Sequence, residues 1–356
     1  MKTIPSSQTV LLASLLVVLS SCGIRGLPVS AGSSCPDCET TDCPDRETLS
    51  INYLGSGGYL LRRGEDVVLL GPFFSNPGVL TALSLLPIGP NTDAIEQWLP
   101  DVMTADAIIV GHAHYDHLLD VGWIAEHRAP QAMVYGSRTV AHLLAALPAL
   151  ENRVTIINSS YSAGESAGNS KDKREPWIWI PETRVRFLPI KSEHAPHFAG
   201  IKLMTGQLHK NLDRLPARAN GWVEGRTLAF LIEFLHPTED RALFSLHYQD
   251  AASNPPLGYP PPDLTVDAAL VCVASHREVS DYPGNLLQRV QPRHVVLGHW
   301  ENFFAPYTQD LDELRGVPFS DPWDFIDQVE GYVATSQGTR WTLPAPGSEL
   351  VLVACP

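Results

Sequence analysis

Short aliphatic and β-branched runs bounded by Gly, Pro, Asn or Asp recur along most of the chain. In the first half this pattern predicts strands at 49–54, 58–61, 67–70, 107–110, 133–135 and 154–157. Residues 95–99 and 139–147 carry helix-like apolar spacing between them. The second half repeats the style, with strands at 185–190, 227–234, 242–246, 268–274 and 294–297 and a helical stretch at 286–290. Two halves of strands with interspersed helices predict two sheets packed face to face with helices outside. One segment interrupts the alternation. Residues 201–226 place Met204, Leu208, Leu212 and Leu215 at near-helical spacing beside Lys202, Lys210, Arg214 and Arg218. That segment reads as a basic amphipathic insertion or as chain packed on the core.

The first residues follow another grammar. Lys2 supplies a positive end, and 10–19 is apolar except for Ser14, too short a run to span a bilayer. Leu19-Ser20-Ser21-Cys22 then resembles the bacterial lipoprotein box, in which the cysteine becomes the acylated first residue of the mature chain. The boundaries expected are a signal peptide at 1–21, a flexible Cys-containing tether at 22–48 and a catalytic domain at 49–356. Acylation of Cys22 would hold an exported protein at a membrane, and Gly23 in place of an aspartate matches outer-membrane sorting, facing the periplasm. Export implies an oxidising compartment. Of Cys35, Cys38, Cys43, Cys272 and Cys355, a local or tail-to-C-terminus disulfide is expected within the first three and the last. Cys272 sits in an apolar run and reads as a buried small hydrophobe.

Hydrophobic residues make up 44 % of the 356, enough for a sizeable core. The formal charge of -14 argues against nucleic acid as a partner, because nothing would neutralise its phosphates.

The chemistry is concentrated after the strand at 107–110. Gly111-His112-Ala113-His114-Tyr115-Asp116-His117 packs four metal-ligand side chains into six positions at a strand end. A buried apolar face has no use for three histidines and a carboxylate together, since each would need a partner. His112-x-His114-x-Asp116-His117 resembles the signature of the metallo-β-lactamase superfamily. The resemblance implies an α+β four-layer αββα sandwich, with His112 and His114 on a first metal and Asp116 and His117 on a second.

That resemblance implies three later ligands, each at a strand end. Beyond 185–190 lie His194 and His197, of which His197, after Pro196, is the expected ligand and His194 a neighbour of the metal or substrate. After 242–246, Asp250 is the expected bridge between both metals, with Gln249 standing where the family shows glycine and His247 nearby. Gly298-His299-Trp300 closes the set with His299. One departure stands at Gly71, where the family often carries an aspartate that supports the site.

Imidazole and carboxylate ligands without thiolate suit two divalent ions, zinc foremost, with manganese or iron also fitting. The implied reaction is hydrolysis by a metal-bridging hydroxide, with Asp116 orienting it and carrying a proton. Tyr115, Tyr248, His276, Trp300, Phe303 and Phe304 could line a pocket, and the proline-rich loop 254–262 is expected to wall the cleft. Pro196-His197-Phe198 and Gly298-His299-Trp300 resemble the subgroup with lipid phosphodiesterases and sugar-phosphate lactonases. The expected substrate is therefore a small-molecule or lipid-like phosphodiester, lactone or ester with an apolar part. Alternatives are β-lactamase-type amide hydrolysis, iron-dependent redox chemistry, or a metal-binding surface lipoprotein without turnover.

Overall fold

The computed structural model describes residues 26–38, 43, 45–163, 177–197, 199–262, 264 and 266–356. The signal segment and Cys22 lie outside the described residues. Among those described, no helix is long and apolar enough to cross a membrane.

Leu228–Leu235 is apolar at every position but Glu233 and buried throughout, which requires cover on both faces of its sheet. This strand, β11, lies inside a mixed sheet ordered β1 (Val29–Ser30), β15 (Arg340–Pro344), β14 (His294–Gly298), β13 (Ala268–Cys272), β12 (Ala242–Tyr248), β11, β10 (Val185–Lys191), β9 (Ile178–Trp179). The facing sheet is ordered β2 (Ser33–Ser34), β16 (Glu349–Ala354), β3 (Glu47–Gly55), β4 (Gly58–Arg63), β5 (Asp66–Leu70), β6 (Ala107–Ile109), β7 (Met133–Gly136), β8 (Val154–Ile156). Their inner faces share one core, in which Ile51, Leu61 and Ile109 meet Phe187, Phe230 and Leu246.

Each sheet is antiparallel at one side and parallel at the other. The meander β3, β4, β5 continues into parallel β5 to β8, and β9 to β12 continues into parallel β12 to β15. Parallel neighbours need crossovers, and helices supply several of them. In chain order, α1 is Val79–Ala82, α2 Thr92–Trp98, α3 Tyr115–Leu118, α4 Val121–His127, α5 Arg138–Leu144, α6 Gly284–Val290 and α7 Pro322–Val333. Ile95, Ile124 and Val140, on α2, α4 and α5, cover the outer face of the sheet that holds β3 to β8. Leu286 on α6 and Phe325 on α7 pack with the strands of the other sheet. Helices therefore lie outside a pair of sheets. Parallel strands also all point their carboxyl ends the same way, which gathers the loops where ligands bind in α/β sheets.

The predicted strands fall on β3 to β8 and β10 to β14, and the predicted helices on α2, α5 and α6. Two expectations need correction. Residues 26–38 are not a free tether. Val29 pairs with Leu343 and Ser33 with Glu349, and the Asp37 carboxylate meets Arg340 at 3.1 Å and His294 at 3.3 Å. Two-residue strands carry no periodicity, so the sequence hides them. The spacing within 201–226 likewise does not make an α-helix. Met204, Leu208, Leu212 and Leu215 pack irregular chain onto the outer core instead, so ordinary packing is what that stripe serves.

Disulfides join Cys35 to Cys38 and Cys43 to Cys355, and Cys272 is free and buried. The second bond ties the amino-terminal segment to the last strand across 312 residues of sequence. A Cys43→Ser/Cys355→Ser variant is expected to lose about 2–4 kcal/mol. Calorimetry should show its thermal midpoint several degrees lower, and reduction should lower the wild type by more than it lowers the variant.

Candidate metal centre

Strand β6 ends at Ile109, and the chain turns through Gly111 into the short helix α3. A Cβ on Gly111 would collide with the Asp250 carboxylate, so only glycine lets the two backbones approach this closely. The turn sends His112, His114, Asp116 and His117 toward the carboxyl ends of the other sheet's strands. Three sets result, each with ligand atoms within 4.8 Å of one another: His112, His114 and His194; His112, His117 and Asp250; Asp116, His117 and His299. Asp250 bridges them geometrically. Its Oδ1 lies 3.2 Å from His112 Nδ1 and its Oδ2 3.8 Å from His117 Nδ1.

For the mid-chain histidine this geometry favours His194 over the expected His197. His194 stands 4.9 Å from the His112 ring and 4.8 Å from the His114 ring and joins a set, whereas His197, stacked on His194, lies 5.5 Å from the His114 ring and joins none. The His197 Nδ1 accepts the Leu203 backbone N–H at 3.1 Å, which commits it to its own loop. The proline turn that pointed to His197 aims that ring at the rim.

These donors are buried without the partners that buried polar groups normally have. His112 Nδ1, both nitrogens of His117, both oxygens of Asp250 and His299 Nδ1 make no hydrogen bond. Burial and neighbouring imidazoles hold His112 and His114 well below the usual histidine range, and burial brings His117 down to about 3. Neutral rings present lone pairs. Burial raises the Asp116 carboxyl, but His117 and His299 outweigh it and hold it well below the usual range. Burial pushes Asp250 upward. An unpaired buried carboxylate among neutral imidazoles is a site built for a cation. The second nitrogens are anchored as metal-binding histidines require. His114 Nε2 donates to the Met204 carbonyl at 3.3 Å and His194 Nδ1 to the Ala195 carbonyl at 2.5 Å, so the opposite atoms face the cluster.

The remaining predicted residues divide. Tyr248 donates to the Gly57 carbonyl at 3.1 Å, and its hydroxyl, with His117, fills the space a side chain on Gly71 would enter. His247 binds the Gly258 carbonyl at 2.8 Å, behind Asp250. His276 uses both nitrogens, on the Val273 carbonyl and Asp324, and Trp300 donates to the Pro344 carbonyl. Neither joins the cluster. The loop 254–262 packs against His247 and Gln249, so it backs Asp250 and does not wall the cavity. Tyr115, Phe303 and Phe304 do line a cavity of about 240 Å³ together with Asp116 and His197.

Three supporting residues went unread in the sequence. The Tyr53 hydroxyl accepts the His299 backbone N–H at 2.8 Å and donates to Glu301 at 2.5 Å, while Glu301 also accepts the Ser56 N–H. This fixes His299, whose φ of 56° is unusual for a residue with a side chain. Asp120 accepts the N–H groups of Phe74 and Ser75 at 2.7 and 3.0 Å and the Ser75 hydroxyl. A carboxylate in the apolar run Leu118-Leu119-Asp120-Val121 was the available signal.

Burial raises Asp120 to about 6. Protonation is thus favoured by folding, so its contribution is full below pH 4 and is lost as pH rises to 6, roughly 3 kcal/mol at 1.4 kcal/mol per unit. Asp120→Asn should flatten this part of the stability profile between pH 4 and 6 in denaturant titrations.

No family model matches the chain. A UPF0173 metal-dependent hydrolase of Aeropyrum pernix is 28% identical over 160 residues, 44% of this chain, and the chain spans 57% of that relative's length. Among solved structures, the metallo hydrolase Igni18 of Ignicoccus hospitalis is 14% identical, with 85% of this chain and 98% of that chain covered and a TM-score of 0.48. The metallo-β-lactamase fold protein YhfI of Bacillus subtilis is 11% identical, with 86% and 99% covered and a TM-score of 0.43. The paired sheets, the outer helices and the order of the strand-end residues are those that the resemblance to the metallo-β-lactamase superfamily implies, and the chain is similar to metal-dependent hydrolases.

Proposed function

We propose that the protein is a dinuclear metal-dependent hydrolase, zinc being the ion its donors suit best. The observation that carries this is the unpartnered donor set around Asp250. His112, His114 and His194 would hold one ion and Asp116, His117 and His299 the other, with Asp250 available to both. Thiolate plays no part, since burial pushes the Cys272 thiol up and its Sγ contacts the Ala274 carbonyl. Bound divalent ions supply a water ionised near pH 7 and a Lewis acid for the substrate oxygen.

The chain's own groups do the rest. Asp116 is the ligand-type carboxylate that reaches the cavity, so it is placed to take the proton of the attacking water and deliver it to the leaving group. His114 and His194 are held in one tautomer by backbone carbonyls. Tyr53 and Glu301 keep His299 aimed inward. The substrate is a lactone, ester or phosphodiester with an apolar portion. Export as a lipoprotein acylated at Cys22 is part of the same reading, supported by the signal-like start and by two disulfides, which belong to an oxidising compartment.

Elemental analysis after zinc reconstitution should find two ions per chain in the wild type. His194→Ala should lose one and His197→Ala neither. Zinc-loaded protein should hydrolyse an acyl lactone or a phosphodiester in preference to a β-lactam, and chelation should abolish turnover. Absence of bound metal after reconstitution would overturn the proposal. For the anchor, mass spectrometry should find an acylated Cys22 at the mature amino terminus; an unmodified terminus elsewhere removes that part alone.

A further inference from the structure

We infer that the cavity beside Asp116 is a binding site for an alkyl or acyl chain with an uncharged far end, so that the substrate is an amphiphile whose reacting group lies at the metals. This deepens the hydrolase reading and rests on it for the reacting end alone.

The cavity holds about 240 Å³, and its walls come from separate parts of the chain: Val79 and Leu83 around α1, Met204 from 201–226, Phe303 and Phe304 after β14, and Val317. Its floor is continuous with the metal centre. Asp116 lines it, and the Phe303 ring lies 5.0 Å from the His299 ring and 4.4 Å from Phe304. A substrate reacting beside Asp116 therefore has an apolar channel as its way outward.

The mouth is apolar too. Leu203 and Phe319 line it and are 41% and 44% exposed. Such exposure of large apolar groups at one opening marks a binding surface. Among the described residues no Lys or Arg lines the cavity; its polar side chains are Asp116, His197, Ser275, Ser320 and, at its hydroxyl, Tyr115. The nearby basic groups are engaged elsewhere: Lys202 lies 3.9 Å from Glu193, and Arg218 donates to the Ser84 carbonyl at 2.7 Å. A charge at the far end of the chain would lose water and gain no partner there. Methylenes lose nothing and bury area. The segment 201–226 thus serves the site through Leu203 and Met204, and its cations do not reach the cavity.

The test uses the zinc-loaded full chain and p-nitrophenyl esters from acetate to octanoate, with the octanoate analogue bearing an ω-carboxylate. Turnover per mole should rise about fourfold in kcat/KM per added methylene until the cavity is filled. The ω-carboxylate should fall back to the level of acetate. Ala82→Trp, which intrudes from α1, should drive the octanoate-to-acetate ratio toward one, and Val79→Trp should repeat this from another position. A second readout needs no turnover: a long-chain alkyl amide carrying a neutral coumarin, followed by fluorescence anisotropy on metal-free protein, should bind the wild type and bind Ala82→Trp at least tenfold more weakly. Probe binding with no hydrolysis of any ester or phosphodiester would sink the hydrolase reading and support the cavity assignment. Ester hydrolysis with a flat chain series and no probe binding would overturn the assignment and spare the hydrolase. Equal rates for octanoate and its ω-carboxylate would overturn the requirement for an uncharged end.

Discussion

A buried carboxylate surrounded by neutral imidazoles, none of them hydrogen-bonded to it, is the arrangement on which the rest of this molecule turns. Taking one carboxylate out of water costs several kcal/mol when no partner compensates. Asp250 is 1% exposed, and His112 and His117 face it without hydrogen-bond alignment. Local interactions do not hold these groups together. The holding force is the burial of two eight-stranded sheets, whose shared core fixes the strand ends from which the ligands project.

The backbone around the site is shaped by that convergence. Gly111 leaves room for the Asp250 carboxylate, and Gly57, at a φ of 72°, makes the tight turn between β3 and β4 that lies against His299. His299 itself sits at positive φ, a conformation that its side chain opposes. The Tyr53 hydroxyl offsets that opposition by accepting its N–H, and Glu301 polarises the same hydroxyl from the other side. Tyr53 lies on β3 of one sheet and Glu301 follows β14 of the other, so the clamp exists only when both sheets are packed.

The periphery contributes shape. The amino-terminal segment closes both sheets at their edges through β1, β2 and the Cys43 bond, leaving fewer open strand edges. On the opposite side, irregular chain at 201–226 does two things with one residue. Met204 gives its carbonyl to His114 and its side chain to the apolar cavity, coupling the orientation of that imidazole to the cavity wall.

The convergence of the His/Asp cluster at 112–117 was legible in the sequence because its spacing is local: one turn after one strand sets four side chains. The positions of Asp250 and His299 were legible for the same reason, each following a short apolar run. The choice between His194 and His197 was not, because both follow the same strand and only the position of Leu203 and the opposing sheet decides which ring turns inward. Helical spacing at 204–215 was misleading, since apolar groups placed every three or four residues also suit an irregular chain lying on a core. Strands β1 and β2, the Tyr53–Glu301 clamp and the cavity depend on residues far apart in sequence. The chain alone determined which chemistry is present and where along it the strands run; tertiary packing decided which donors meet, because burial and register act between segments that the sequence lists far from one another.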